Sequence, residues 1–239
     1  MTILCIETST SVCSAAICKD GKLSKQCINY EGSNHARLLP LYIEELLAYA
    51  REQGLTIDAV ALSEGPGSYT GLRIGTSTAK GLCYGLNIPL IPVPTLEVLC
   101  SATKEKLSPL TSHLSPLLIP MIDARRMEVY TMINGETKAV VVENETSLYS
   151  VSEQSERSVF CQAKPVYYFG DGAAKCQAVL TAPNWHYVPD IVPEAQFVGV
   201  LAERNSNHQS PITNHQLAYY EPFYLKEFIA APSHIKGLS

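Results

Sequence analysis

The stretch Ile57–Leu86, IDAVALSEGPGSYTGLRIGTSTAKGLCYGL, decides the fold. Its first seven residues, Ile57–Ser63, are a continuous apolar run of the kind buried on both faces of a parallel sheet. The run ends in Glu64-Gly65-Pro66-Gly67-Ser68-Tyr69-Thr70-Gly71, and a helix is expected from about Leu72 to Leu86. Glycines at a strand-to-helix junction admit the close approach of another backbone, and the first N–H groups of a helix favour an anion. The loop Gly65, Pro66, Gly67, Ser68, Tyr69 and Thr70 fits neither GxxxxGK[ST] nor GxGxxG. Ligand contact and tight internal packing both remain open for it. The helix carries Gly71, Gly75 and Ala79, then Gly81 and Gly85, at four-residue spacing. Each glycine costs a helix up to ~1 kcal/mol relative to alanine. The offsetting gain is close packing, against a neighbouring helix or another chain.

Upstream, Thr2–Thr8, Ser11–Lys19 and Lys22–Tyr30 read as three strands, with the hairpin turn Asp20-Gly21 between the last two. A helix follows, about His35 to Gln53, with Leu39, Ile43, Leu46, Leu47 and Ala50 in one apolar stripe and Leu38, Tyr42 and Tyr49 in the next. Ser33 or Asn34 caps its start and Gly54 ends it, while Pro40 fits only early in the helix or bends it. Its apolar face is wide enough for burial on two sides of one domain or for sharing with a partner. Downstream, Ile88–Val93 is a strand and Thr95 opens a short helix to about Ala102. The order βββαβαβα is the half-unit of ribonuclease-H-like and actin-like folds. Residues 103–116, polar and with two prolines, read as a linker. Leu117–Asp123, Met127–Ile133 and Lys138–Glu143 then form a second meander, turning at Asn134-Gly135. Val166–Phe169 reads as a strand, Gly170-Asp171-Gly172 as a turn, Ala173–Leu180 as a helix and Pro193–Asn205 as an amphipathic segment. The expectation is an α/β duplicated fold of two lobes, 1–102 and 103–213, each with a mixed sheet opening in an antiparallel meander. A tail from about 214 to 239 docks through Phe223, Tyr224, Leu225 and Phe228 and frays beyond Ala231.

Composition narrows the function. The 239 residues are 46% hydrophobic and 17% charged, which supports a buried core. A net charge of -5 argues against tight nucleic-acid binding by the chain alone. No apolar run reaches membrane-span length, and MTILCIETST lacks a basic leader region, so a cytoplasmic protein without membrane contact is expected. The eight cysteines form no CxxC pair and read as buried free thiols; the six histidines show no HxxH, HxxxH or HExxH spacing. The Ser/Thr turn after the first strand, Glu7–Ser11, and the turn Asp123-Ala124-Arg125-Arg126 are the places where an actin-like ATPase would meet phosphates. Glu7 stands where such enzymes carry Asp, so a structural turn is favoured at the first, and a structural role, such as a domain-closing ion pair, at the second.

The segments ILCIETST (3–10), HARLLPLYIEELL (35–47), AVALSEGPGSYTGLRIGTSTAKGLCYGLNIPLIPVPTLEVL (59–99) and MIDARRMEVY (121–130) resemble the TsaB (YeaZ) family. That resemblance implies an actin-like, sugar-kinase-like (ASKHA) fold related to the TsaD enzymes but without their chemistry. Thr95 and Leu99 occupy the places of the HxxxH metal pair, so no catalytic residue, cofactor or metal is expected. It implies a non-catalytic partner of a TsaD-like subunit, assisted by a TsaE-like ATPase, in threonylcarbamoyl transfer to N6 of the adenosine beside the anticodon of ANN-decoding tRNAs. The tRNA would be met only through the complex. The implied partner surface comprises His35, Leu38, Leu39, Tyr42, Leu46 and Tyr49 on the first helix and Gly71, Arg73, Gly75, Thr78, Ala79 and Leu82 on the second, and the same helices could form a homodimer. Arg37, Arg73, Arg125, Arg126, Lys226 and Lys236 are candidates for approaching RNA. The alternatives are an ATPase or small-molecule kinase using the interlobe cleft, and a metalloprotease, which the lack of a histidine pair opposes.

Overall fold

The computed structural model describes residues 1–32, 34–111, 116–148, 164–205 and 211–226. The cap reading at Ser33, the thiol of Cys161, Phe228, Lys236 and the end beyond Ala231 lie outside them. The first sheet contains β1 (Thr2–Glu7), β2 (Cys13–Lys19), β3 (Lys22–Asn29), β4 (Ala59–Gly65) and β5 (Leu90–Pro94), in the order β3-β2-β1-β4-β5. β1 pairs antiparallel with β2 and parallel with β4. The second sheet contains β6 (Leu117–Asp123), β7 (Glu128–Ile133), β8 (Glu136–Val141), β9 (Val166–Phe169) and β10 (Trp185–Val188), in the order β10-β9-β6-β7-β8. β6 pairs antiparallel with β7 and parallel with β9. Each sheet is therefore an antiparallel meander whose first strand also carries two parallel strands, and the duplication is one of topology.

The helices explain why β1 and β4 read as unbroken apolar runs. α1 (His35–Glu52) and α2 (Tyr69–Leu86) cover one face of the first sheet, against Leu4, Ile6, Val60 and Leu62. α3 (Thr95–Thr111) and α4 (Ala195–Asn205) cover the other, against Ile3, Cys5, Ala59 and Ala61. The second core also takes in Ile122, Phe169 and Val188 of the second sheet, so α3 and α4 lie where the two sheets share apolar contacts.

Several local expectations need correction. α3 runs to Thr111 rather than about Ala102, so residues 103–111 of the expected linker are helical; Leu107 is buried, and its burial outweighs the polar composition around it. Ala173–Leu180 holds only the 3-10 turn Ala174–Cys176. α4 falls in the second half of the sequence but packs on β1 and β2, and the Ala195 amide donates to Ser14 Oγ at 2.9 Å. α1 continues through Pro40; Pro40 and the Ala36 carbonyl it leaves unbonded sit on the exposed face, where water can serve that carbonyl. Asn34 stands at the N-cap without a side-chain capping bond. The seven cysteines among the described residues are free and buried.

Candidate functional site

The chain itself fills the turn after β1, which the comparison with actin-like ATPases singled out above. Glu7, Thr8 and Ser9 are fully buried. The Ser68 amide donates to the Ser9 carbonyl at 2.7 Å, and a methyl group on Gly67 would collide with that same carbonyl. In the first turn of α2 a Cβ at Gly71 would strike the Thr8 carbonyl, and about one turn later a Cβ at Gly75 would strike the Thr8 hydroxyl. The Thr8 hydroxyl donates to the Gly71 carbonyl at 2.8 Å. Tight packing therefore accounts for Gly67, Gly71 and Gly75. The contact is neither a helix nor a second chain but the β1–β2 turn. Gly81 and Gly85 face open space.

A chain of hydroxyls fixes the far side of this turn. The Gly65 amide donates to Thr95 Oγ1 at 3.1 Å, and Thr95 Oγ1 and Ser63 Oγ lie 2.7 Å apart. Thr95, Ser63 and Leu99 are fully buried. The positions that resemble the metal pair are thus a structural hydroxyl and a core isobutyl group. Among the described residues no group of three His, Cys, Asp or Glu side chains is placed to hold a metal ion.

Glu7 is the unusual member of the cluster. Its Oε1 accepts the Ser9 amide at 2.6 Å, while Oε2 is buried without a hydrogen-bond partner. Desolvation raises its pKa, the nearby Ser63 and Ser9 groups pull it back, and the charge of Asp171 raises it further. A carboxyl held toward its neutral form, with no open approach, suits a buried structural group better than a metal or proton-transfer role. In the second lobe Asp123 pairs with Lys175 and its amide donates to Asp171 Oδ1 at 3.0 Å, so this ion pair lies within one lobe and does not close two.

The implied partner residues divide by exposure. His35, Leu39, Leu46, Gly71, Gly75 and Ala79 are buried inside the chain, and the His35 ring nitrogen lies 2.9 Å from the Thr10 carbonyl. They support the surface but do not form it. Leu38, Tyr42 and Tyr49 on α1 and Thr78 and Leu82 on α2 are half-buried, and Arg73 is exposed. Leu41 on α1 is 56% exposed, and Tyr84, on the far side of α2 from Leu82, is 80% exposed. The loop residues Gly65 and Pro66 are buried, Gly67 and Tyr69 half-buried, and Ser68 and Thr70 exposed; Ser68 Oγ accepts the Gly71 amide at 3.3 Å as the N-cap of α2.

Two features escaped the sequence reading. Glu64 anchors the C-terminal segment: its carbonyl accepts the Phe223 amide at 2.8 Å, and its carboxylate accepts the Tyr220 hydroxyl at 3.5 Å. Lys80 donates to the Ala218 and Tyr220 carbonyls at 3.2 and 3.1 Å. The apolar tail residues announced docking, and Tyr224 does dock, its ring 5.1 Å from Tyr69. Nothing in the sequence named Glu64 and Lys80 as the anchors.

The sequence profile of the TsaD family, described as tRNA N6-adenosine threonylcarbamoyltransferase, matches residues 29–156. The chain is 29% identical to the TsaB protein of Bacillus subtilis over 210 residues, 86% of this chain and 82% of that one. It is 34% identical to the TsaB protein of Escherichia coli over 130 residues, 54% of this chain and 53% of that one, and 35% identical to the Haemophilus influenzae protein over a similar span, 52% of that protein. The chain thus spans about half the length of these last two relatives. Among solved structures, YeaZ from Pseudomonas aeruginosa superposes with a TM-score of 0.68 over 94% of this chain and 99% of that one, at 24% identity, which supports the duplicated fold. With the TsaD-family profile covering more than half of its length and several curated TsaB proteins 29–35% identical to it, the chain belongs to the TsaB family and has a duplicated, ASKHA-like α/β fold.

Proposed function

We propose that this chain is a non-catalytic subunit in tRNA threonylcarbamoyladenosine biosynthesis. In this reading it binds and stabilises a TsaD-type subunit, which transfers the threonylcarbamoyl group to N6 of the adenosine next to the anticodon in ANN-decoding tRNAs. One observation supports the absence of its own chemistry: Gly67, Ser68 and Gly71 pack directly on the buried backbone of Thr8 and Ser9. The names of its relatives support the pathway, and Leu38 and Tyr42 on α1 with Thr78 and Leu82 on α2 supply a half-buried, largely apolar two-helix surface for the partner. A TsaE-type ATPase joins the same assembly, tRNA is met within it, and the work takes place in the cytoplasm. Without the partner the same two helices can pair with a second copy.

Co-expression with a TsaD-type subunit and size-exclusion chromatography tests the reading. The expected result is co-elution, lost in Leu82→Glu, whose half-buried position leaves a carboxylate solvated in the free chain but buried and unpaired in the complex. Co-elution unchanged by Leu82→Glu and Thr78→Glu would refute this surface. The competing kinase or ATPase reading predicts micromolar Mg-ATP binding with turnover by the pure chain in calorimetry; the filled turn predicts neither.

A further inference from the structure

α2 has a second outward face, on the side away from α1. At about 100° per residue, Tyr69, Arg73 and Lys80 fall within about 40° of one another, whereas Thr78 and Leu82 lie at least about 140° around the helix from them. The segment Glu221–Lys226 forms a wall opposite this face and encloses a groove of about 550 Å³. The Arg73 guanidinium sits 5.3 Å from the centre of the Tyr69 ring and donates to the Tyr69 hydroxyl at 3.2 Å. Among the described residues Lys80 meets the two backbone carbonyls named above. Among the described residues, neither Arg73 nor Lys80 has a carboxylate within ion-pair distance. Thr76 also lines the groove; it is 6% exposed, and its hydroxyl is buried without a partner. Among the described residues Glu221 is the one carboxylate lining the groove, and Lys226, also in its lining, pairs with Glu128 of β7.

In a chain of net charge -5, two groove cations that no described carboxylate meets at ion-pair distance outnumber the single described groove carboxylate, Glu221, and favour an anion. They stand two helical turns apart, about 10 Å along the axis, and so suit a ligand with repeated charge rather than a single small ion. The Tyr69–Tyr224 pair, 5.1 Å between ring centres, adds an aromatic surface against which a planar ring can stack. Spaced phosphates with unstacked bases supply both features, as single-stranded nucleic acid does in basic, aromatic-lined grooves.

We propose that this groove contacts a single-stranded stretch of RNA inside the assembled complex, with two phosphates of the strand at Arg73 and Lys80 and a base against Tyr69 and Tyr224. The proposal rests on the reading above that the complex acts on tRNA. It adds that this chain itself touches the RNA, on the side of α2 opposite the partner surface.

The test measures binding of a fluorescein-labelled anticodon stem-loop RNA to the two-chain complex at several KCl concentrations. Arg73→Ala should weaken binding by about fivefold and reduce the slope of log K against log[salt] by about 0.7, the share of one single-strand phosphate contact. Tyr69→Ser should weaken binding with the slope unchanged, because stacking releases no counterion. Lys22→Ala, on the exposed edge strand β3, should change neither. Unchanged affinity and slope in both groove variants, loss of co-elution in Arg73→Ala, or full displacement of the RNA by inorganic phosphate at constant ionic strength would each overturn the proposal. Failure of the wild-type chain to co-elute would instead refute the subunit reading. The groove is then tested alone, by photo-cross-linking a 4-thiouridine-substituted stem-loop to the isolated chain: a cross-link at Tyr69 or Tyr224 supports the proposal, and none at either overturns it.

Discussion

Replacing Gly71 with alanine places a methyl group against the carbonyl of Thr8. That carbonyl belongs to a fully buried turn, and the Thr8 hydroxyl is already committed to the Gly71 carbonyl. No side chain can rotate away, so α2 or the turn must shift. Overpacking of this kind costs ~1–3 kcal/mol, and the upper part of the range applies where backbone meets backbone. Helix propensity returns at most ~1 kcal/mol. The net loss is ~1–2 kcal/mol, and at about 2–4 °C per kcal/mol for a chain of this size the thermal midpoint should fall by about 2–8 °C. Gly81→Ala makes the same chemical change in the same helix at an exposed position with nothing within 4 Å. It keeps only the propensity gain and should raise the midpoint by up to about 4 °C. Thermal unfolding of both variants, followed by circular dichroism, measures the difference. Midpoints that move in the same direction would refute the assignment of Gly71 to close packing against Thr8.

Thr95→Val removes the acceptor of the Gly65 amide and the partner of the Ser63 hydroxyl, both buried; a loss of ~1–3 kcal/mol in urea unfolding is expected, and an unchanged midpoint would remove that network from the account. Leu39→Ala, at a fully buried position of α1, should cost ~2–5 kcal/mol by the same assay and mark Leu39 as core rather than contact surface. For Glu7 the sign follows from its raised pKa: the neutral carboxyl favours the folded state fully below the ordinary glutamate range, and that contribution is lost as pH rises through the folded-state value. Glu7→Gln should flatten the stability profile above about pH 4.5 and make the variant the more stable form, relative to the wild type, at pH 8; parallel profiles of the two proteins would contradict a raised Glu7.

The duplicated topology was legible because its signals are local. Asp20-Gly21 and Asn134-Gly135 turn the two meanders, and six of the seven residues of the doubly buried β4 are apolar or small, Glu64 being the exception. The C-terminal limit of α3 was not legible, because Leu107 is held by tertiary burial that outweighs a polar, proline-bearing stretch. The candidate site was half legible. Glycine spacing showed that α2 approaches something closely but not that the something is Thr8, since the period of a helix fixes a face and not its neighbour. The buried share of the expected partner residues, such as Leu46 and Gly75, has the same origin: a broad apolar helix face does not reveal which part its own sheet covers. A charge at either position would break the core and would not probe the partner surface. The Glu64–Tyr220–Phe223 contacts join residues about 156 apart in sequence, and no pattern short of the structure brings them together.

The central claim is that this chain lends a surface, and no chemistry, to a catalytic subunit. Its most direct test is reconstituted threonylcarbamoylation of an ANN-decoding tRNA transcript with a TsaD-type subunit, a TsaE-type ATPase and a supply of threonylcarbamoyl adenylate. The account predicts modification only when this chain is present, none from this chain without the TsaD-type subunit, and loss of modification with Leu82→Glu. Full modification in its absence, or any modification by this chain alone, would contradict it.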